Sequence, residues 1–186
     1  MNETYVAFLR GINVGGHHKV PMQELRDRLP ELGFANIQTV LNTGNIIFDS
    51  APESLDKLEN RISEFLENHF GFPIPCIIRS AAFILQLCEE DPFAGIEIHK
   101  KIRLYISLLK GENKADIEIP WFSSDASFRI LAKRAQNILS VLDLEVNGTP
   151  QGMEALENFY GKEITTRNWN TIKRIEKKLL AAKKGL

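Results

Sequence analysis

Apolar residues along the chain fall into short runs separated by glycine, proline and asparagine, and the spacing alternates between strand-like and helix-like. Tyr5-Val6-Ala7-Phe8-Leu9 is a continuous apolar run that breaks at Arg10 and reads as a strand. Met22, Leu25, Leu29 and Leu32 then recur at helical spacing behind Pro21, with Gly33 placed as a C-terminal cap. Pro30 lies inside that pattern, lacks a backbone donor and should end the helix near Leu29. Two β-rich runs, Ile37 to Leu41 and Ile46 to Phe48, flank Asn42-Thr43-Gly44-Asn45, a hairpin turn by composition. Ser50-Ala51-Pro52-Glu53 matches a capping box, and the helix expected behind it turns Leu55, Leu58, Ile62, Phe65 and Leu66 inward. Gly71-Phe72-Pro73 stops that helix. Ile74 to Arg79 is a strand, placed at a sheet edge by Pro75.

This order, β-α-β-β-α-β, is the split arrangement of ferredoxin-like folds. Right-handed crossovers then favour an antiparallel sheet in the order 4-1-3-2. Strand direction brings the loop after strand 1, the turn between strands 2 and 3 and the loop before strand 4 to one end of that sheet. Beyond Ser80 the pattern changes to a short helix (Ala81 to Leu87), a strand (Ile102 to Leu109) and a polar loop (Gly111 to Ser124). A hairpin about Arg134 to Asn137 and a helix from Thr149 to Tyr160 come next. Last comes a helix capped by Thr165-Thr166 that carries Trp169, Ile172, Ile175 or Glu176, Leu179 and Leu180. The expected fold is α+β: a ferredoxin-like βαββαβ half with an antiparallel sheet over residues 1–80. A second mixed α/β half over 81–186 packs against it and ends in a basic helix.

Composition narrows the class. The chain has 186 residues, 44% hydrophobic and 25% charged, values of a globular protein with a substantial core. The N-terminus has no basic region ahead of its short apolar run, and no stretch reaches membrane-span length, so neither a signal peptide nor a membrane anchor is expected. Two cysteines, Cys76 and Cys88, are too few for a disulfide framework or a four-cysteine zinc site, and a cytoplasmic location follows as the expectation. Net charge is −1, yet Lys162, Arg167, Lys173, Arg174, Lys177, Lys178, Lys183 and Lys184 crowd the C-terminal end against Glu163 and Glu176. That end suits an anionic partner or an acidic face of the chain itself.

Candidate chemistry concentrates in the loop after the first strand. Arg10, Gly11, Asn13, Gly15, Gly16 and Lys19 combine flexible backbone with two cations, a composition that suits an anion. A connection that needs glycine for its dihedral angles would look similar. The spacing is neither a Walker loop nor a dinucleotide fingerprint. Asn42, Thr43, Gly44 and Asn45 gain interest from their expected place beside this loop, where their amides could meet a ligand. Thr165, Thr166, Arg167 and Asn168 offer a third wall through a capped helix start. No three ligands stand at metal spacing, and no cofactor motif or nucleophile elbow is present.

Taken together, Tyr5 to Gly16, Lys19 to Met22, Asn42 to Phe48 and Thr165 to Thr171 resemble the bacterial domain-of-unknown-function 1697 family. The likeness spans nearly the whole chain in order. Asn42 stands where that family more often has Gln, and Pro30 interrupts a helix that is usually continuous. The resemblance implies a mixed α+β bacterial protein with ferredoxin-like elements and no established biochemical activity. From the residues themselves, the leading expectation is a module binding a phosphate-bearing ligand, a nucleotide or nucleic acid. A small hydrolase or transferase acting on a phosphate or acyl-phosphate is the alternative from the enzyme class, with His17 or His18 as its nearest base. A protein-interaction module using the basic C-terminal helix is the third. None of the three requires a cofactor or a membrane, and none sets the oligomeric state.

Overall fold

The structure, a computed structural model, describes residues 2–113, 115, 117–146 and 148–184, with side chains as far as Ala182. It divides the chain into two units: residues 1–89 with 173–186, and residues 90–172. This differs from a boundary at residue 80. The helix after that point buries Ala81, Ile84, Leu87 and Cys88, and it packs on strands of the first unit. The C-terminal helix returns most of its length to the same unit.

In the first unit, β1 (Glu3–Leu9) is followed by α1 (Met22–Arg28), β2 (Ala35–Val40), β3 (Asn45–Ser50), α2 (Leu55–Phe70), β4 (Cys76–Ser80) and α3 (Ala81–Glu89). The four strands pair antiparallel in the order β2-β3-β1-β4, the order expected from the sequence. Tyr5, Ala7 and Leu9 of β1 and Ile46 and Phe48 of β3 point into one core with Leu25, Leu29, Leu58, Ile62 and Leu66 of the helices. Pro30 acts as anticipated: α1 stops at Arg28, a single 3-10 turn covers Leu29–Leu32, and Gly33 closes it at φ 77°. The expected capping box does not form. Ser50 is still in β3, α2 begins after Ser54, and Glu53 pairs instead with Arg61 at 3.0 Å.

The two edges of this sheet are finished differently. Leu9 N–H donates to Gly44 O and Arg10 N–H to Pro75 O, which fixes the ladder parity. On that parity the N–H groups of Cys76 and Ile78 in β4 point outward, and α2 meets both. Ser63 Oγ accepts from Cys76 N–H at 3.1 Å, and Glu59 Oε1 accepts from Ile78 N–H at 2.8 Å. An i, i+4 pair on the helix thus caps an i, i+2 pair on the strand, closing an edge that would otherwise invite pairing. The amphipathic pattern alone does not reveal Glu59, which is 2% exposed.

The second unit holds β5 (Ile102–Leu109), β6 (Trp121–Phe122), β7 (Phe128–Arg134), β8 (Asn137–Asp143), α4 (Thr149–Tyr160) and β9 (Ile164–Asn168). Its sheet is antiparallel in the order β6-β7-β8-β5-β9. α4 closes one face through Leu156 and Tyr160, over Tyr105, Leu109, Phe128, Ile130, Ile138 and Leu142. Burial raises the pKa of the Tyr160 phenol. α5 (Trp169–Lys184) begins in this unit and continues into the first. Its Ile172, Ile175 and Leu179 are buried, while Lys173, Arg174, Lys177 and Lys178 are exposed. No helix among the described residues is long and apolar enough to cross a membrane.

Candidate functional site

The twelve-residue stretch from Arg10 to Pro21 is not an open phosphate cradle but a small hairpin of its own. Val14 and His17 form a β-bridge, with His17 N–H donating to Val14 O at 3.2 Å and Asn13 N–H to His18 O at 3.1 Å. Gly15 and Gly16 sit at its tip at φ 61° and 80°, the left-handed pair that a two-residue hairpin turn requires. A Cβ at either would meet nothing within 4 Å, so they serve the turn and not a close approach.

Asn13 ties this hairpin down. Its Nδ2 donates to Val20 O at 3.0 Å and to Asn42 O at 2.8 Å, while its Oδ1 accepts from Val20 N–H at 2.9 Å. The loop after β1 and the β2–β3 turn therefore meet, and Arg10 N–H reaches Pro75 O, so the loop before β4 joins them at the same end. Asn13→Ala removes three hydrogen bonds at once and is expected to cost about 2 kcal/mol. Urea unfolding would measure the loss, and amide exchange would rise first at Val20.

Several residues singled out from the sequence are occupied in holding this shape. The Asn45 amide is fully buried, with Nδ2 donating to Val40 O at 2.8 Å and to Thr43 Oγ1 at 2.9 Å, so it is not offered to a ligand. Gly44, at φ 73°, packs directly on Leu9 and Ile12. His18, at φ 50°, stacks on Phe72 with ring centres 4.6 Å apart, and its Nδ1 lies 3.3 Å from Gly11 O. Phe72 in turn neighbours Phe70, whose ring meets His69 edge-on, and His69 Nε2 is 2.7 Å from Glu24 Oε1. This aromatic prop has no sequence signal beyond the aromatic residues around Gly71. It holds the hairpin against the end of α2.

What is left facing outward is a depression of about 450 Å³ lined by Asn13, Gly16, Lys19, Val20, Pro21, Met22 and Asn42. Lys19 and the Asn42 carboxamide are exposed, and among the described residues neither side chain has a hydrogen-bonding or ionic partner. Val20, Pro21 and Met22 supply an apolar wall that no polar residue marks in the sequence. α1 has only seven residues and follows Pro21 without a side-chain cap, so its dipole adds little to the site.

The third wall expected at Thr165 to Asn168 is corrected in its conformation. These residues form strand β9, paired with β5, not a capped helix start. Asn168 is the cap, its Oδ1 accepting from Asn170 N–H at 2.9 Å. Arg167 is 8% exposed and donates to Thr165 Oγ1 and Thr166 O. Thr166 Oγ1 and Ser107 Oγ lie 2.7 Å apart. All four residues belong to the second unit. No group of three or more potential metal ligands comes together among the described residues.

The region containing this hairpin and turn also carries the family signature. Residues 1–121 match the model of a family described as protein of unknown function, DUF1697. The chain belongs to the DUF1697 family. Among solved structures, this DUF1697 protein is similar to conserved bacterial protein SP0830 from Streptococcus pneumoniae. The two chains are 22% identical with a TM-score of 0.69, over 96% of this chain and 99% of the other. At that identity the likeness shows a shared fold. No curated protein matches the chain.

Proposed function

We propose that the depression between the Arg10–Pro21 hairpin and the β2–β3 turn binds a phosphate-bearing ligand, a nucleotide or single-stranded nucleic acid. The observation that carries this reading is the pair of unpartnered side chains, Lys19 and Asn42, set over one hollow on a hairpin that is itself rigidly held. A lysine supplies a point charge for phosphate, and the Asn42 amide supplies two further donors. The volume lies in the range of small-molecule sites, and Val20, Pro21 and Met22 offer an apolar surface for the non-phosphate part. The phosphate-transfer alternative gains nothing from the geometry, since His18 is committed to Phe72 and Gly11 and only His17 stays available as a base. In the same reading the first unit is ferredoxin-like, supported by its strand order. The chain acts in the cytoplasm, supported by two cysteines carried as thiols.

Adenosine monophosphate and a labelled oligothymidylate serve as probes. Binding by the intact chain should weaken about tenfold in Lys19→Ala, with the oligonucleotide's salt dependence falling by about one ion. Asn42→Ala should weaken both probes by a smaller factor. Equal affinity for the parent and Lys19→Ala, at low salt, would overturn the proposal.

A further inference from the structure

The other edge of the first sheet carries a second feature, independent of the hairpin. β4 is closed by Glu59 and Ser63, but among the described residues β2 is an edge strand that pairs only with β3. The ladder parity set by Leu9 and Gly44 points Ile46 and Phe48 toward β1, and hence Asn45 and Ile47 toward β2. Gln38 and Val40 are their partners, so the N–H and C=O of Thr39 point away from the sheet. Among the described residues nothing bonds to them. The strand sequence Ala-Asn-Ile-Gln-Thr-Val has no charge or proline to discourage pairing, and its one irregularity, a register shift between Ala35 and Gln38, lies before the Gln38–Val40 segment that stays open.

Beside this open edge lies a cavity of about 490 Å³ on the sheet face opposite α1 and α2. Its apolar lining includes Ile37, Ile47, Ala81 and Leu179, and Gln38 and Asp49 stand among them. Asp49 is half-buried and accepts from two neutral donors, Thr4 Oγ1 at 2.6 Å and Asn36 Nδ2 at 2.7 Å. Among the described residues no cation pairs with its charge, and no lysine or arginine lines the cavity. Gln38 has no described partner either.

We infer that β2 is a strand-addition site for an extended peptide, and that the cavity takes a lysine or arginine side chain of that peptide. A strand hydrogen-bonded to Thr39 lies roughly 10 Å from β3, two strand spacings away. That distance is beyond a short side chain and within reach of a long basic one meeting Asp49. The aliphatic stem of such a residue crosses Gln38 and rests on Ile47 and Leu179, and its charged end completes the carboxylate. Main-chain bonds to Thr39 give affinity and the Asp49 pocket gives selectivity, the division of labour of β-augmentation.

The test uses a fluorescein-labelled peptide of alternating threonine and valine with one central lysine, and versions with norleucine or glutamate there. With the full chain, the lysine peptide should bind about tenfold tighter than the norleucine peptide, and the glutamate peptide weakest. Asp49→Asn should abolish the preference for lysine while leaving the norleucine peptide unchanged. Thr39→Pro, which removes an outward donor and spares the ladder to β3, should weaken lysine and norleucine peptides alike. Circular dichroism confirms that each variant folds, and if Thr39→Pro does not, the Asp49→Asn comparison decides. Equal binding of the three peptides, or none, overturns the inference. So does a dimer of the parent chain that Thr39→Pro dissolves, since a second copy would then occupy the edge. Peptide binding seen only in Lys183→Ala/Lys184→Ala overturns it too, by assigning the cavity to the chain's own C-terminal end.

Discussion

Glu59→Ala is expected to destabilise the first unit by about 3 kcal/mol, lowering the urea midpoint with little change in slope. Glu59 is 2% exposed and holds the outward N–H of Ile78, so its loss leaves a buried donor unpaired. It also removes a charge that attracts Arg79, which is 5% exposed. Burial lowers the Arg79 pKa to about 10, and the attraction of Glu59 offsets part of that shift. A base whose pKa falls on folding holds fewer protons in the folded state between the folded and ordinary values. Stability therefore rises as pH climbs above about 10, and the penalty for the buried charge is fully present at every lower pH. Glu59→Gln keeps an acceptor for Ile78 and should lose less than alanine. Glu59→Gln with Arg79→Met removes both buried charges and should recover part of the loss, because apolar packing of similar shape carries no desolvation cost of charge. A double variant no better than Glu59→Gln alone would show that the cost lies in the strand cap and not in the charge.

Gly44→Ala is expected to cost about 3 kcal/mol through two effects that add. A Cβ on Gly44 would stand 2.7 Å from Ile12 Cδ1 and 2.8 Å from Leu9 Cβ, and φ is 73°. Ile12 is 3% exposed and has little room to retreat, and Leu9 Cβ is fixed to the strand. For a chain of this size the melting temperature should drop by roughly 6–12 °C. Gly15→Ala is the control. It has the same backbone problem and no steric one, so about 1 kcal/mol is expected. Equal losses for the two would mean that backbone strain alone is at work, and that the turn does not press on the hairpin. Loss of probe binding in a folded Gly44→Ala protein would tie that contact to the shape of the site.

Much of the architecture was legible in the residue pattern because it depends on local chemistry. Pro30 ends a helix by lacking a donor, Gly33 and Gly71 close helices at positive φ, and Asn42 to Asn45 turn a hairpin. From the order of those elements came the strand order, since handed crossovers leave few alternatives. The end of the sheet where the hairpin and the β2–β3 turn meet followed from strand direction alone. Ser50 to Glu53 shows the limit of such reasoning. Its capping-box spacing is real, but pairing with β1 carries β3 through Ser50 and delays the helix to Leu55.

Which polar residues are free was decided by tertiary structure. Asn13, Asn42 and Asn45 look equivalent in sequence, yet packing commits the amides of Asn13 and Asn45 to backbone groups and leaves that of Asn42 outside. Thr165 to Asn168 became a strand because β5 offers them a ladder, an interaction across about sixty residues that local propensity does not contain. Glu59 and Asp49 make the same point from the two sheet edges. A carboxylate on a helix or strand reads as solvated until the sheet places a strand N–H against one and a cavity against the other. Sequence by itself determined the elements, their order and the end of the sheet that carries the hairpin, because each rests on short-range sterics and chain connectivity. Only the assembled structure decided which groups remain unsatisfied, because satisfaction depends on what long-range pairing brings within a hydrogen bond's length.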